Sequence, residues 1–229
     1  MTLPRSEDAI ASRIAQINQQ LPKSVRTIAV SKQVSVDLMR SAYAAGIRDF
    51  GESRIQEAET KQSQLQDLPD ITWHLIGHLQ SNKAKKALEL FDWIHSIDSL
   101  KLAQQLDRLA GSMGKQPQVC LQVKLLPDPN KHGWTVPELL ADLPALNECQ
   151  QIKIQGLMTI PPLDLNEAEI LALFQNTREL AEKIDRQNWS RIRMQDLSMG
   201  MSEDYHLAVQ AGATMVRLGT ILFGGREEF

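Results

Sequence analysis

Eight short apolar runs recur through the chain, at residues 27–30, 47–50, 72–75, 93–95, 119–123, 152–156, 194–197 and 214–218, with a segment of helical spacing or a helix cap between most neighbours. Each run has the length of a strand. Among the intervening segments, Ser99 leads into Leu102, Leu106 and Leu109 before Gly111, and Asn166 leads into Ile170, Leu173, Phe174, Leu180 and Ile184. Both read as capped helices with one apolar face. Strands that alternate with helices run parallel, because each crossover returns the chain to the same end of the sheet. Eight such repeats predict an α/β fold, a single (β/α)8 TIM-type barrel. A doubly wound open sheet is the competing arrangement on pattern alone. Ahead of the first run, Ser6 reads as a cap, Glu7 and Asp8 follow it, and Ile10, Ile14, Ile17 and Leu21 share one face, which adds an N-terminal helix.

The chain has 229 residues, 42% of them hydrophobic, so residues 1–229 are expected to form one domain with no length for a second. A net charge of -3, from 25 basic and 28 acidic residues spread along the chain, favours neither nucleic acid nor an anionic membrane. A small-molecule partner is expected. Cys120 and Cys149 form no CxxC pair, which points away from a disulfide framework or zinc knuckle and towards a reducing compartment. The stretch MTLPRSEDAIASRIAQ lacks the apolar core of a secretory signal, and nowhere do about 18 apolar residues run together. A cytoplasmic protein is expected. With no heptad run or broad apolar helix face, a monomer is expected as well.

In a barrel of this kind chemistry gathers at the C-terminal strand ends. The first run ends in Ala29-Val30-Ser31-Lys32. A lysine at an apolar strand end is expected to be partly desolvated, which favours the neutral, nucleophilic amine. The seventh run enters Ser198-Met199-Gly200-Met201-Ser202 and the eighth enters Arg217-Leu218-Gly219-Thr220. The loops after strands seven and eight form the usual phosphate site of this fold, and hydroxyls together with glycines that expose backbone amides suit an anion. Residues 125–134 (LLPDPNKHGW) read as a long loop after the fifth strand and a candidate lid.

The stretches AVSK (29–32), FGESRIQEA (50–58), WHLIGHLQSNK (73–83), GLMTI (156–160), LSMGMSEDY (197–205) and RLGTILFGGR (217–226) fall in order along most of the chain. By these the sequence resembles the pyridoxal phosphate homeostasis protein family, single-domain relatives of the alanine racemase N-terminal barrel. The resemblance implies a fold-type III barrel that holds pyridoxal 5'-phosphate as a Schiff base on Lys32. It implies that Ser198, Met201, Ser202, Gly219 and Thr220 surround the phosphate and that Arg217 faces the pyridine nitrogen. An arginine there leaves that nitrogen unprotonated and the ring a weak electron sink. The family usually has Asn where this chain has Ser53, so Ser53 is expected near the cofactor through water at best. His78 and Asn82 are implied at the barrel mouth and Met158 beside the cofactor, where a methionine also reads as plain core.

His74 and His78, four apart, lack the glutamate and helix of a metal motif, so no metal is expected. Asp128 with Asp164, and Glu203 with Asp204, read as solvated or capping groups. The resemblance implies a carrier of pyridoxal phosphate acting in vitamin B6 homeostasis, with little or no catalysis of its own and transient contact with apo-enzymes as recipients. The alternative is a racemase-like enzyme. Racemisation needs a second acid-base group facing the lysine, and the only tyrosines, Tyr43 and Tyr205, are not evident candidates. A third reading makes Lys32 the Schiff-base lysine of an aldolase-like barrel acting on a sugar phosphate.

Overall fold

The architecture is that of a computed structural model, which describes residues 7–128 and 130–225. Its strands are β1 (Arg26–Val30), β2 (Asp49–Glu52), β3 (Thr72–Leu75), β4 (Trp93–Ile97), β5 (Gln118–Lys124), β6 (Trp134–Thr135), β7 (Lys153–Met158), β8 (Ile192–Ser198) and β9 (Met215–Leu218). Eight of them close a parallel ring in the order β1-β2-β3-β4-β5-β7-β8-β9, with β9 pairing back onto β1. The ring is the expected barrel, and the open sheet is excluded. β6, hidden from sequence inside an irregular stretch, is a two-residue ribbon on the last residues of β5.

A helix follows each barrel strand: α2 (Val36–Ala44), α3 (Ile55–Gln64), α4 (Ala84–Leu90), α5 (Leu100–Met113), α6 (Val136–Leu146), α7 (Glu167–Asp185), α8 (Tyr205–Gln210) and α9 (Thr220–Phe223). The extra helix, α1 (Glu7–Gln20), buries Ile10, Ile14 and Ile17 and packs against α2 and α9. Its expected cap, Ser6, lies outside the described residues, as does Arg226. Ser99 caps α5, and Asn166 with Glu169 forms a capping box on α7. Helix α5 runs through Gly111 and stops at Gly114, whose φ of 62° is the left-handed cap conformation. A glycine inside a helix is tolerated, whereas the left-handed turn that ends it calls for one.

Parallel strands covered on both faces read as continuous apolar runs, and β4 and β9 are buried along their whole length. The second run is displaced towards the C-terminus, to β2, because register against β3 sets Glu52 opposite Leu75. A buried glutamate does not look like a strand residue in sequence. Ile28, Trp93, Cys120, Met158 and Met215 form a small interior cluster, separate from the larger core between strands and helices.

Candidate functional site

A cavity of about 410 Å³ opens at the C-terminal ends of the strands. Lys32, Ser53, Met201, Ser202, Arg217, Gly219 and Thr220 all line it. They come from four separate strand ends, and only barrel closure brings the first and last of them together.

Lys32 is half-buried between two anchored neighbours. On one side, Lys61 Nζ on α3 donates to the Ser31 carbonyl at 2.6 Å, and the Ser31 hydroxyl donates to Glu52 Oε1 at 2.7 Å. On the other, the Gln33 amide donates to Glu57 Oε1 at 2.5 Å while Gln33 holds a φ of 59°. For a side chain other than glycine that conformation costs about 1–2 kcal/mol. Lys61 Nζ also reaches Glu52 Oε1 at 2.8 Å and Glu57 Oε1 at 2.6 Å, so one ammonium ties both flanks together. Burial raises the Glu52 carboxyl pKa against the opposing pull of Lys61. Burial alone would raise Glu57 too, but the bonds from Lys61 and the Gln33 amide outweigh it and hold Glu57 below its ordinary value.

Across the cavity, Ser202 Oγ accepts hydrogen bonds from the amides of Gly219 at 3.2 Å and Ile221 at 3.3 Å. With its oxygen occupied by two amides, the Ser202 hydroxyl keeps its own hydrogen to donate, and a hydroxyl so aligned suits an anion at this spot. Gly200 turns the chain before it with a φ of 92°, and the Arg217 amide donates to the Gly200 carbonyl at 2.9 Å. Asp204 is buried in the wall, accepts from the Met201 amide at 2.6 Å and is raised in pKa by burial. By sequence it reads as a solvated or capping group; it does cap an amide, but from inside the cavity wall.

Arg217 is 4% exposed. Its Nη1 donates to the Ser198 carbonyl at 2.6 Å and Ser198 Oγ at 2.7 Å, and its Nη2 donates to the Thr159 carbonyl at 3.0 Å. Burial pulls its pKa down to about 10. The guanidinium is therefore fixed on three neutral acceptors with one edge of the residue at the cavity.

The remaining expected residues lie elsewhere. Ser198 is buried behind Arg217, and Met158 belongs to the interior cluster. His78 is exposed outside the cavity lining, with Nδ1 3.0 Å from Asp98 Oδ2 and its ring stacked on His132 at 3.6 Å and 10°. His78, Asp98 and His132 gather three ligand-type atoms. Two nearly parallel rings cannot both aim in-plane lone pairs at one ion, so one ring would have to turn to bind a metal. Asn82 sits exposed in a 3-10 turn, Ser81–Lys83.

No described residue of 125–134 lines the cavity. That stretch is pinned by Lys131, whose Nζ bonds the Pro161 carbonyl, and by Gln122 Nε2 donating to the His132 carbonyl at 2.9 Å. The loop at the cavity is instead 160–163, ending in Leu163, which is 94% exposed. The Pro161-Pro162 pair was the available signal for it. Neither tyrosine lines the cavity: Tyr43 bonds Asp70 and Tyr205 bonds Gln20.

Residues 6–227 match the alanine racemase N-terminal domain family. The pyridoxal phosphate homeostasis protein of a Synechocystis species is 52% identical over 212 residues, covering 93% of this chain and 96% of that protein. The structure of PipY from Synechococcus elongatus with pyridoxal phosphate bound superposes with a TM-score of 0.90 at 56% identity, covering 94% of this chain and 100% of that one. Alanine racemase from Clostridium difficile, at 16% identity and a TM-score of 0.78, shares the fold over 96% of this chain and 60% of its own.

Proposed function

The chain belongs to the pyridoxal phosphate homeostasis protein family, and on that premise we propose that it binds pyridoxal 5'-phosphate in the strand-end cavity and acts in vitamin B6 homeostasis as a carrier. The observation that carries this reading is the convergence on one cavity of a primary amine, Lys32, a buried guanidinium, Arg217, and the amides around Ser202. The cavity volume lies within the range of small-ligand sites.

Bound there, pyridoxal phosphate supplies an aldehyde that bonds reversibly to a primary amine. Lys32 is the amine for it, held at a fixed backbone position by the Lys61 anchor. Ser202, Gly219 and Thr220 would hold the phosphate, with Met201 and Ser53 bordering the ring and Ser198 and Met158 supporting from behind. His78 would act at the mouth only by turning inward. Arg217 donates and cannot accept, so it leaves the ring nitrogen without a proton, which favours storage over carbanion chemistry. The relatives are named as homeostasis proteins rather than enzymes. The racemase-like reading asks for a second acid-base group, and the two tyrosines lie away from the cavity.

The same reading makes the chain a single-domain monomer of the cytoplasm that passes its cofactor transiently to apo-enzymes. None of its described helices is long and apolar enough to cross a membrane. The test is an absorption spectrum before and after borohydride, with peptide mapping, on wild type and Lys32→Ala. The expected result is a near-visible band in wild type that reduction fixes on Lys32 and that Lys32→Ala lacks. A wild-type protein with no band in excess pyridoxal phosphate would overturn the reading in favour of an aldolase-like site.

A further inference from the structure

We propose that Asp49, His74, His95 and Ser198 form a one-way hydrogen-bonded relay that fixes Arg217 from behind, making them positioning residues for the ring that Arg217 faces; the proposal rests on the pyridoxal phosphate reading above. The relay spans the barrel. Asp49 stands at the start of β2, and its Oδ1 lies 2.9 Å from His74 Nε2 on β3. His74 Nδ1 lies 2.9 Å from His95 Nε2 on β4, and His95 Nδ1 lies 2.8 Å from Ser198 Oγ on β8. Since β4 and β8 are not neighbours in the ring, that last bond crosses the interior. Ser198 Oγ then accepts from Arg217 Nη1 at 2.7 Å.

The direction follows from the two ends. Arginine only donates, so the Ser198 hydroxyl, already accepting from Nη1, gives its own hydrogen to His95 Nδ1. His95 must then carry its proton on Nε2 and donate to His74 Nδ1. His74 in turn carries its proton on Nε2 and donates to Asp49, which as a carboxylate only accepts. The opposite direction would set an imidazole lone pair against the carboxylate and leave the serine hydrogen facing a guanidinium. Donor-only head and acceptor-only tail thus select the same tautomer at both histidines, each fully buried.

The charge of Asp204 acts on Arg217 from a distance, but no described carboxylate forms an ion pair with Arg217 within salt-bridge distance, and its three hydrogen-bond acceptors are neutral. A buried cation without a direct counterion is costly unless dipoles face it. The relay aligns three dipoles, from Ser198, His95 and His74, with their negative ends towards Arg217 and ends them on a carboxylate only 20% exposed. Asp49 also has Arg26 Nε at 3.8 Å, which anchors the far end. Burial disfavours protonation of both imidazoles, His95 most, in keeping with neutral rings.

The test has two arms on the full-length protein. In 15N-edited NMR, with ring signals assigned by single His→Gln substitutions, His74 and His95 are expected as Nε2–H tautomers at neutral pH. A proton on Nδ1 of either ring overturns the relay. In the second arm, Asp49→Leu removes the terminal acceptor and Asp49→Asn keeps one. Asp49→Leu is expected to weaken pyridoxal phosphate binding at least about fivefold, the equivalent of one buried hydrogen bond, and to move the absorption maximum of the bound cofactor, with Asn restoring both. If Asp49→Leu lowers only thermal stability, the residues are structural and the positioning role fails. A wild type with the expected tautomers but no bound pyridoxal phosphate would sink the functional reading, and the positioning role with it, while the hydrogen-bond direction stood.

Discussion

Lys61 Nζ lies 2.8 Å from Glu52 Oε1, with the lysine side chain 8% exposed and the glutamate 0%. Removing one partner of such a pair strands the other charge in the interior, at a cost of about 3–5 kcal/mol, whereas replacing both with apolar groups is often close to neutral. Lys61→Met is therefore expected to destabilise the protein by that amount and to loosen both flanks of Lys32, slowing uptake of pyridoxal phosphate. Adding Glu52→Leu should recover most of the stability while the uptake defect persists. Urea denaturation of the two single variants and the double variant reads the coupling directly, and simple additivity would contradict the account.

Acid should weaken the fold through the two relay histidines. Burial holds both below the ordinary histidine value, so the native state refuses protons that the unfolded chain accepts. The sign follows: their contribution to stability is full above pH ~6.5 and is lost as pH falls below it, by up to about 1.4 kcal/mol per pH unit for each imidazole. Denaturation profiles on either side of that pH should show the slope, and His95→Gln should remove about half of the histidine share. An unchanged slope in His95→Gln would contradict the prediction.

Gly77 follows β3, and its carbonyl accepts from Ser96 Oγ at 2.6 Å, so its backbone has little freedom to move. A methyl group there would run into the Ser53 carbonyl. Gly77→Ala is expected to displace the Ser53 turn, costing about 1–3 kcal/mol of stability as overpacking does, and to weaken retention of pyridoxal phosphate. Gly111→Ala, in helix α5 and away from the cavity, is the control: its methyl meets only the flexible side chain of Gln151, ahead of β7. Gel filtration of loaded protein, followed by its absorbance, separates the two; equal retention would count against the role of the Ser53 turn.

The local code of this chain is strong. Apolar runs of strand length, caps at Ser99 and Asn166, and Gly200 at the turn after β8 act over a few residues, and they specify alternating strands and helices, a pattern shared by a barrel and an open sheet. Lys32, Ser202, Gly219 and Thr220 are likewise legible, because amine, hydroxyl and glycine at strand ends carry their chemistry in their residue types, whereas the place of Arg217 follows from the family resemblance. Folding decided what depends on distant segments meeting. β6 is too short to have a period, and Asp204 reads as one more acidic residue until closure buries it. The loop at the cavity is 160–163 rather than 125–134, because packing of Lys131 onto Pro161 fixes the longer loop to the side. The relay is the clearest case. Asp49, His74, His95 and Ser198 are isolated polar residues within four strands, and only the curvature that sets β4 across from β8 turns them into one hydrogen-bonded line ending on Arg217.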